Sequence, residues 1–417
     1  MCSGGAYERR ERFRENSVSQ RAFYTLNLAV FTAMLGMGIV IPFLPIYAKT
    51  LGATGITIGV FFASFPLAQM LFMPTIGRLS DRRGRKGFIA AGLLLSSLIS
   101  LWYVYAPTIG FLILGRFLQG SALALIMPVS TAYVGDLAPP EKRGTYMGIF
   151  NLFLSSSIGI GPLGGGWLSD TYGMAASFYC MGGLNALAFL LVFFFLPEAR
   201  ASAHAAAQPS SYRALLRGPK VRGLALYRMV NAIQMGLWFS FMPLLAAEGL
   251  RLSKAQIGSV IAVHMLVSSF VQVPSGRLAD RVSRRVLIMI GGYLGSLAFA
   301  TVLFAQGFVH LLLIGSVTGA MGAMATPALT ALAADEGQSR GMGAVMGVLN
   351  MAMSAGMMLG PVLAGALAEI SGLGSLFAFG AVVGMIGTLL FARLTAEPHT
   401  ATMPEPGLVT ERQTEVS

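Results

Sequence analysis

Charged residues are scarce in this sequence. Only 11% of its 417 residues are Asp, Glu, Lys or Arg, whereas a soluble domain typically carries about 25%. Apolar runs recur along the chain, many of them about 20 residues long, which is the length that a helix needs to cross ~30 Å of hydrocarbon. A soluble core could not bury so many such runs. The composition therefore excludes a soluble globular protein and predicts an all-α membrane protein.

Cysteine is nearly absent as well. The chain has two, Cys2 near the N-terminus and Cys180 within an apolar run, so they cannot form a disulfide framework. The sequence shows no metal-ligand spacing and no nucleophile motif. We therefore expect no enzyme activity, no metal site and no cofactor. A channel is disfavoured because no filter-like loop interrupts an apolar run.

Carboxylates are missing from the middle of every apolar run. All 17 Asp and Glu residues fall in tails, in loops or at the ends of runs. The ionisable side chains inside the runs are Arg116, Arg228 and His264. Because such groups usually face a cavity or a partner when they lie in a membrane, they are candidates for a substrate or ion site.

The apolar runs predict twelve membrane-spanning helices. An even number places both termini on one side, and no evident cleavage site follows the first run, which we therefore interpret as retained. The predicted spans 1 to 12 are residues 22–47, 55–77, 87–105, 109–135, 144–168, 175–197, 222–247, 255–276, 286–305, 309–334, 341–368 and 374–394.

Basic residues lie mostly on one side of these spans. The net charge is +12, with 29 Lys and Arg residues. Lys49, Arg251 and Lys254 fall on the side opposite the termini, Arg116 and Arg228 fall within spans, and the other 24 lie on the side of the termini. Because cytoplasmic loops carry such an excess, we expect both termini in the cytoplasm, in a bacterial-type inner membrane. The basic charge then serves topology and contact with anionic lipid, and we expect no nucleic-acid partner.

The second half of the chain repeats the first at an offset of 199 residues. A gapless repeat of this kind indicates two parallel six-helix halves with a site between them. We expect a tail at 1–21, an N-terminal half at 22–197, a linker at 198–221, a C-terminal half at 222–394 and a tail at 395–417. Matched pairs include Gly59 with Gly258, Arg78 with Arg277, Asp81 with Asp280, Arg85 with Arg284, Asp136 with Asp335, and Gly161-Pro162 with Gly360-Pro361.

The loop between spans 2 and 3 is densely charged and reads "GRLSDRRGRK" from Gly77 to Lys86. It matches the pattern G-x-L-[AS]-D-R-x-G-R-[KR] at every specified position, and over nearly its whole length the chain resembles the major facilitator superfamily. The resemblance implies the major facilitator fold, which is twelve transmembrane helices in two pseudo-symmetric halves. In this loop Gly84 permits the tight turn between nearly antiparallel helices.

Three further motifs resemble the drug:proton antiporter branch of that family, which includes tetracycline and multidrug exporters. Span 1 reads "LGMGIVIPFLP", span 4 carries R-x-x-Q-G, and span 5 is similar to G-x8-G-x3-G-P-x2-G-G with Ser157 in place of one glycine. The resemblance implies a monomeric secondary transporter that exports small amphiphilic molecules in exchange for protons. We expect Gly161 and Pro162 to pack span 5 against span 8 or 11 of the other half. The antiporter-type packing residues are Gly148, Gly161, Pro162, Gly165, Gly166, Gly360 and Pro361.

The resemblance also implies a gate that the loop motif controls. Asp81 would dock at a helix N-terminus of the other half, where the helix dipole favours an anion, and Asp136 would pair with Arg85. The simpler interpretation is that the loop charges only fix topology. The expected gate residues are Gly77, Asp81, Arg82, Gly84, Arg85, Asp136, Asp280 and Arg281.

Polar residues within the spans are the candidates for binding substrate and coupling ions. Four of them in span 7 recur at steps of four, three and four, which places them on one helical face. Because the first of every three helices lines the cavity in the family that the chain resembles, the resemblance implies that this face is a cavity wall; hydrogen bonds between helices are the alternative. His264 lies near the middle of span 8 and could carry a proton, or it could be a packing residue. The set is Asn27, Arg116, Gln119, Asn151, Tyr227, Asn231, Gln234, Trp238, His264 and Asn350.

The missing carboxylates leave two alternatives open. Many proton-coupled exporters of the family have an acid in span 1 or 4, whereas span 1 here offers only Asn27. A cavity containing Arg116, Arg228 and His264 would suit an anionic or zwitterionic substrate. A facilitator or importer of a polar metabolite, such as a sugar or organic anion, is therefore a second hypothesis. A receptor or scaffold that has lost transport is a third.

Overall fold

The computed structural model describes residues 4–139, 142–198 and 212–396, with side chains except at 4–19, 143 and 212–214. Within these ranges the chain is helical and contains no strand. A 3₁₀ turn at Ile41–Phe43 joins the first two helices, and a π-helical turn at Leu245–Gly249 follows the ninth. The helices are α1 Gly4–Val40, α2 Leu44–Thr50, α3 Gly55–Arg83, α4 Lys86–Val104, α5 Ile109–Leu137, α6 Arg143–Tyr172, α7 Met174–Phe195, α8 Tyr212–Arg217, α9 Pro219–Leu244, α10 Lys254–Ala279, α11 Arg284–Ala300, α12 Phe308–Arg340 and α13 Met342–Leu394.

Eleven continuous helical segments in the described ranges are long and apolar enough to span a membrane. The last of them, α13, is broken at Gly372, whose backbone has φ +79° and ψ 170°. Gly173 separates α6 from α7 with φ +84° and ψ 168°, 199 residues earlier. Non-glycine residues rarely adopt such a φ. Counting α13 as two segments gives twelve spans and confirms the predicted all-α fold.

The chain ends and the linker differ from the simplest prediction. Residues 4–21 of the predicted tail are helical and form the first part of α1. The short helix α8 and the start of α9 lie within the predicted linker, while residues 199–211 and the tail from 397 lie outside the described residues. We refer below to residues 22–197 as the N-half and to residues 222–394 as the C-half.

The two faces of the bundle are distinguished by the chain ends. The terminal face carries the start of α1 and the α3–α4 loop, and the distal face is opposite. On the distal face, α3 and α10 each begin with a capping box, formed by Thr54 with Thr57 and by Ser253 with Gln256. Such caps satisfy backbone N–H groups that a helix leaves free in its first turn. Thr54 and Ser253 are again 199 residues apart, so the repeat extends to helix starts.

The halves meet through glycine-lined crossings toward the distal face. In one crossing α6 lies on α10, and a Cβ added to Gly258 would overlap the carbonyl oxygen of Pro162. In the other α13 lies on α3, and a Cβ added to Gly59 would overlap the carbonyl oxygen of Pro361. Helices in a membrane associate through this kind of close backbone packing because lipid tails are as apolar as the side chains.

The antiporter-type glycines divide between two neighbours, which corrects the expectation for Gly161. A Cβ on Gly161 would lie 2.7 Å from Cα of Gly38 in α1, within the N-half. Pro162 and Gly166 instead face α10 of the C-half, as predicted for Pro162. Residues one position apart on a helix point about 100° apart, so Gly161 can face α1 while Pro162 faces α10.

The remaining packing residues follow the same division. Gly165 lies against Ile39 of the N-half, and Gly360 lies against Ile233 of its own C-half. The carbonyl of Pro361 meets Gly59 of the other half, as the pseudo-symmetry with Pro162 requires. Gly148 has no atom within 4 Å of an added Cβ, so no close crossing depends on it in this conformation.

Buried apolar residues show that the halves join at the distal end and separate at the terminal end. One buried cluster contains residues of both halves, among them Phe61 and Phe241. Toward the terminal face each half has its own cluster, around Tyr133 in the N-half and around Leu329 in the C-half. The described chain is thus closed on the distal face and parted toward the terminal face.

The crossing of α6 with α10 predicts opposite effects for two nearby alanine substitutions. A Cβ on Gly166 would lie 2.6 Å from the carbonyl oxygen of Lys254, whereas a Cβ on Gly164 would meet no atom within 4 Å. We expect Gly166→Ala to destabilise the distal closure by ~1–3 kcal/mol through overpacking. Gly164→Ala should be neutral or stabilise by ~0.5–1 kcal/mol through helix propensity.

The measurement is thermal unfolding of both variants in one detergent, with electron–electron distances between spin labels at the distal ends of α6 and α10. Gly166→Ala should unfold at lower temperature and broaden the distance distribution. Equal behaviour of the two variants would show that this crossing does not limit the distal closure.

Candidate functional site

A cavity of about 300 Å³ lies within the C-half. Its walls come from α9, α10, α11, α12 and α13, and they combine neutral polar groups with aromatic and methionine side chains. The cavity brings together five of the predicted substrate and coupling residues. These are Tyr227, Asn231, Gln234, Trp238 and His264.

The α9 wall is the helical face that the sequence spacing predicts. Gln234 has a fixed place in it, because its Nε2 donates hydrogen bonds to Ser296 Oγ at 3.2 Å and to the Gly380 carbonyl at 3.0 Å. Gly384 leaves room for this amide, since an added Cβ there would collide with the Gln234 side chain. Gln234 therefore both lines the cavity and holds α9 to α11 and α13.

His264 and Trp238 form one aromatic panel in the cavity wall. Their rings stack with centroids 5.1 Å apart and an interplanar angle of 27°. His264 Nδ1 lies 2.8 Å from the carbonyl oxygen of Gly315, which can only accept, so Nδ1 carries a hydrogen. In the neutral ring Nε2 is then the atom that can take up a proton.

Trp238 contributes a polar atom to this panel. The residue is 2% exposed, and its Nε1 donates to no acceptor among the described residues. An indole N–H that is buried usually has a partner. The Nε1 of Trp238 is therefore a buried donor without an acceptor among the described residues.

Arg228 is the one cavity-lining residue with a fixed charge among the residues that the structure describes. Its contact is with a weak acceptor, since NH2 lies 3.1 Å from the sulfur of Met353. No Asp or Glu lines the cavity. The position of Arg228 near the terminal face would also allow its side chain to snorkel, but the structure places it in the cavity lining.

Arg116 and Gln119 lie elsewhere, in the N-half core. Arg116 is 4% exposed, and its NH1 donates to Gln119 Oε1 at 2.7 Å. Its guanidinium lies over the ring of Phe65, 4.4 Å from the centroid, and within 6 Å of two further phenylalanines. Such cation–π contacts stabilise a desolvated cation by ~2 kcal/mol or more. In this conformation Arg116 is enclosed and does not line the cavity.

The other three predicted asparagines lie outside the cavity lining. Asn27 is fully buried in α1, and its Nδ2 donates to the Phe23 carbonyl at 2.7 Å. Asn151 and Asn350 are exposed on α6 and α13. The helical position of each was readable from the sequence, but the direction in which it faces was not.

The charged loop on the terminal face is built around Arg85. This side chain is 7% exposed and lies 3.2 Å from Asp81 and 2.6 Å from Asp136, both in the N-half. The backbone N–H of Lys86 donates to Glu198 at 3.2 Å, beside Gly84 with φ +91°. The C-half repeats the ion pair between Arg284 and Asp335.

The other gate residues are accessible at the terminal face. Asp81 remains 56% exposed and its ion pair is with its own half. Gly77 has no atom within 4 Å of an added Cβ, which is consistent with the parted terminal face. Arg82, Asp280 and Arg281 are exposed. The docking of Asp81 onto the other half is therefore not made in this conformation and stays a prediction.

Two carboxylates that sequence reasoning missed hold the halves together on the distal face. Asp170, at the end of α6, accepts from the backbone N–H groups of Lys254 at 3.2 Å and Ala255 at 2.8 Å, at the start of α10. Glu369, in α13, accepts from the N–H of Ile56 at 3.0 Å, at the start of α3. A carboxylate is stabilised at a helix N-terminus by the free N–H groups and by the dipole.

These two contacts are equivalent under the internal repeat, because Asp170 and Glu369 are 199 residues apart. An acid at equivalent positions in both halves was the signal that could have found them. Lys254 adds a further link through its Nζ, which donates to the Ser169 carbonyl at 3.1 Å.

Comparisons with known proteins agree with this architecture. The family model described as Major Facilitator Superfamily matches residues 26–236 and 224–413. An uncharacterized MFS-type transporter of Methanocaldococcus jannaschii is 30% identical over 390 residues, covering 90% of this chain and 98% of that protein. Multidrug resistance protein 2 of Bacillus subtilis is 27% identical, and quinolone resistance protein NorA of Staphylococcus aureus is 26% identical. Each alignment covers 84% of this chain and 90% of the relative.

Solved structures share the fold at low sequence identity. The nucleoside transporter NupG superposes with a TM-score of 0.77 at 15% identity, covering 90% of this chain and all of that one. An inward-facing bacterial homologue of the human lysosomal transporter Spinster superposes with a TM-score of 0.73 at 15% identity, covering 90% and 95%.

The distal carboxylates predict a shift in the balance between closed and open distal faces. We expect Asp170→Asn combined with Glu369→Gln to favour distal opening by ~1–2 kcal/mol, because each change removes an anion from a helix N-terminus. Electron–electron distances between spin labels across the distal face should show a longer component.

Glu248→Gln is the matched control, because Glu248 is an exposed acid near the same face. It should leave the distances unchanged. If the double variant also keeps the wild-type distances, the two carboxylates do not hold the distal face closed.

Proposed function

The chain belongs to the major facilitator superfamily, and from that membership we propose that this membrane transporter exports small amphiphilic molecules by alternating access, driven by proton entry. The observation that carries the proposal is the C-half cavity. Its aromatic and methionine walls suit an apolar body, and its neutral amides and hydroxyls suit a polar end. The names of the multidrug and quinolone resistance proteins, at 26–27% identity, support drug-like substrates.

Sidedness follows from the distribution of Lys and Arg. The positive-inside rule places the terminal face in the cytoplasm of a bacterial-type inner membrane, with both chain ends there. The described conformation, closed distally and parted at the terminal face, is then the state that loads substrate from the cytoplasm. We propose that the transporter works as a monomer among membrane lipids.

Alternation exchanges one set of carboxylate contacts for another. In the described state Asp170 and Glu369 close the outside by holding helix starts of the opposite half. In the outward-facing state Asp81 would close the inside in the same chemical manner, at the N-terminus of α13. Asp136 would then keep Arg85 in place while Asp81 leaves it.

The proton site in this proposal is His264. It lines the cavity, it has one nitrogen engaged by Gly315, and an imidazole changes charge in the physiological pH range. Arg116 cannot supply the proton itself, because arginine stays protonated in proteins. Its proposed role is in coupling, by holding Gln119 and the aromatic residues of α3 in the arrangement that this state requires.

The lack of a carboxylate in the cavity lining favours a second candidate, an uncoupled facilitator of a polar metabolite. The two functions differ in their response to a pH gradient. Reconstituted vesicles with a fluorescent substrate and an imposed gradient would separate them, since only the coupled exporter accumulates substrate against its own gradient.

Asp81→Asn tests the cytoplasmic gate. The change preserves size and removes the anion that the helix dipole would hold, so insertion should be normal while the transport rate falls at least tenfold. Cysteine labelling from the cytoplasmic side should show a gate that is open for a larger fraction of the time. Asp335→Asn is the control, because its ion pair lies within the C-half. Wild-type transport in Asp81→Asn would contradict the gate role.

His264→Gln tests the proton site. Glutamine can still donate to Gly315 but cannot take up a proton, so accumulation driven by a pH gradient should be lost. Exchange of substrate down its own gradient should continue within about threefold of wild type. The measurement is both assays on one vesicle preparation. If His264→Gln accumulates substrate normally against a gradient, the proton site lies elsewhere.

A further inference from the structure

We propose that the cavity selects amphiphiles that carry an acid group, a carboxylate or a sulfonate, and that Arg228 is the residue that binds this group. The inference rests on the proposed function and names its substrate class. Arg228 is the fixed charge of the cavity lining, and no carboxylate lines the cavity to neutralise it. A guanidinium offers five N–H donors, whereas among the described residues its hydrogen-bond partner is a thioether sulfur.

An unneutralised cation is costly at this place. Arg228 is half-buried in a membrane-spanning helix, where a charge without an opposite partner is disfavoured, and a thioether accepts hydrogen bonds only weakly. An anionic group would provide both the opposite charge and two oxygens that fit the planar fork of arginine. A cationic substrate would meet repulsion and no carboxylate to bind it.

The other end of the cavity is built for an apolar ring. Trp238 and His264 form a stacked panel, and Phe299 lies 6.3 Å from Trp238, centroid to centroid. Trp238 Nε1 adds a donor without a partner in a residue that is 2% exposed.

Spacing along α9 sets the length of the molecule. Arg228 and Trp238 are ten residues apart, which is about 15 Å along a helix. Asn231 and Gln234 lie between them on the same wall. The arrangement therefore fits an elongated amphiphile, with its acid toward the terminal face, its ring at the Trp238–His264 panel and neutral polar groups along its middle.

The probes for the test share one dansyl ring and a five-carbon chain and differ in their end group, which is anionic, neutral or cationic. They are 5-(dansylamino)pentanoate, its carboxamide and the corresponding 5-(dansylamino)pentyl-trimethylammonium ion. The protein is the full chain in detergent with Trp102→Phe and Trp167→Phe, so that energy transfer to the dansyl group reports on Trp238 alone. Binding curves give an affinity for each probe without any transport step.

The anion should bind at least tenfold more tightly than the carboxamide, and the trimethylammonium ion most weakly. Arg228→Gln should remove the preference, weakening the anion about tenfold and leaving the carboxamide unchanged. Arg228→Lys keeps the charge without the fork and should retain part of the preference. Arg222→Gln is the control, because Arg222 is exposed on the same helix and its loss should change nothing.

Equal affinities for the three probes, or an unchanged preference in Arg228→Gln, would overturn the inference even if vesicles still export the carboxamide. Selective binding of the anion in a protein that transports none of the probes would instead count against the proposed function alone. Circular dichroism and gel filtration of each variant identify a loss of fold, and Arg228→Lys keeps the test decisive if Arg228→Gln does not fold.

Discussion

The structure depends on backbone contact between its two halves at the distal face. At Gly59 and Gly258 a helix of one half meets a proline carbonyl of the other with no side chain between them. In lipid no hydrophobic force favours one helix pairing over another, so close packing and hydrogen bonds have to hold the halves together. Because the two crossings are equivalent under the internal repeat, they hold the distal ends of the halves together in the same way while the terminal ends lie apart.

Carboxylate contacts add to the glycine crossings in holding the distal face closed. Asp170 and Glu369 add anions to helix starts beside the glycine crossings, where exposed N–H groups receive them. Each contact is weak enough, about 1 kcal/mol, to be exchanged during a transport cycle. A stronger, buried ion pair would hold the distal face closed permanently. A glycine crossing without a carboxylate would leave the balance between the closed and open distal faces to packing alone.

Sequence patterns predicted what depends on neighbours along one helix. The α9 face from Tyr227 to Trp238 follows from the helical period, whereas the pairing of Arg85 with Asp136 was implied by the family resemblance. The sequence could not predict how each helix is rotated about its own axis. The motif that contains Gly161 fixes its position along the helix but not the neighbour that it faces. For the same reason the sequence did not show that Asn27 faces the core and not the cavity. The contacts of Asp170 and Glu369 could not be predicted from side-chain pairs, because their partners are backbone N–H groups of helices that are distant in the sequence.

In the proposed exchange an anionic substrate and a proton on His264 would attract each other, so the exchange would need a second, larger effect. Across about 15 Å, from the Arg228 end to the Trp238–His264 panel, two unit charges interact by about 1 kcal/mol at an effective dielectric of 20. Removing water from a newly charged imidazolium costs several kcal/mol. The apolar ring of the substrate and the hydration shell of protonated His264 compete for the same end of the cavity, and the desolvation cost exceeds the attraction. Water that hydrates protonated His264 would displace the substrate ring from the Trp238–His264 panel. A proton arriving from outside would therefore expel an acidic amphiphile.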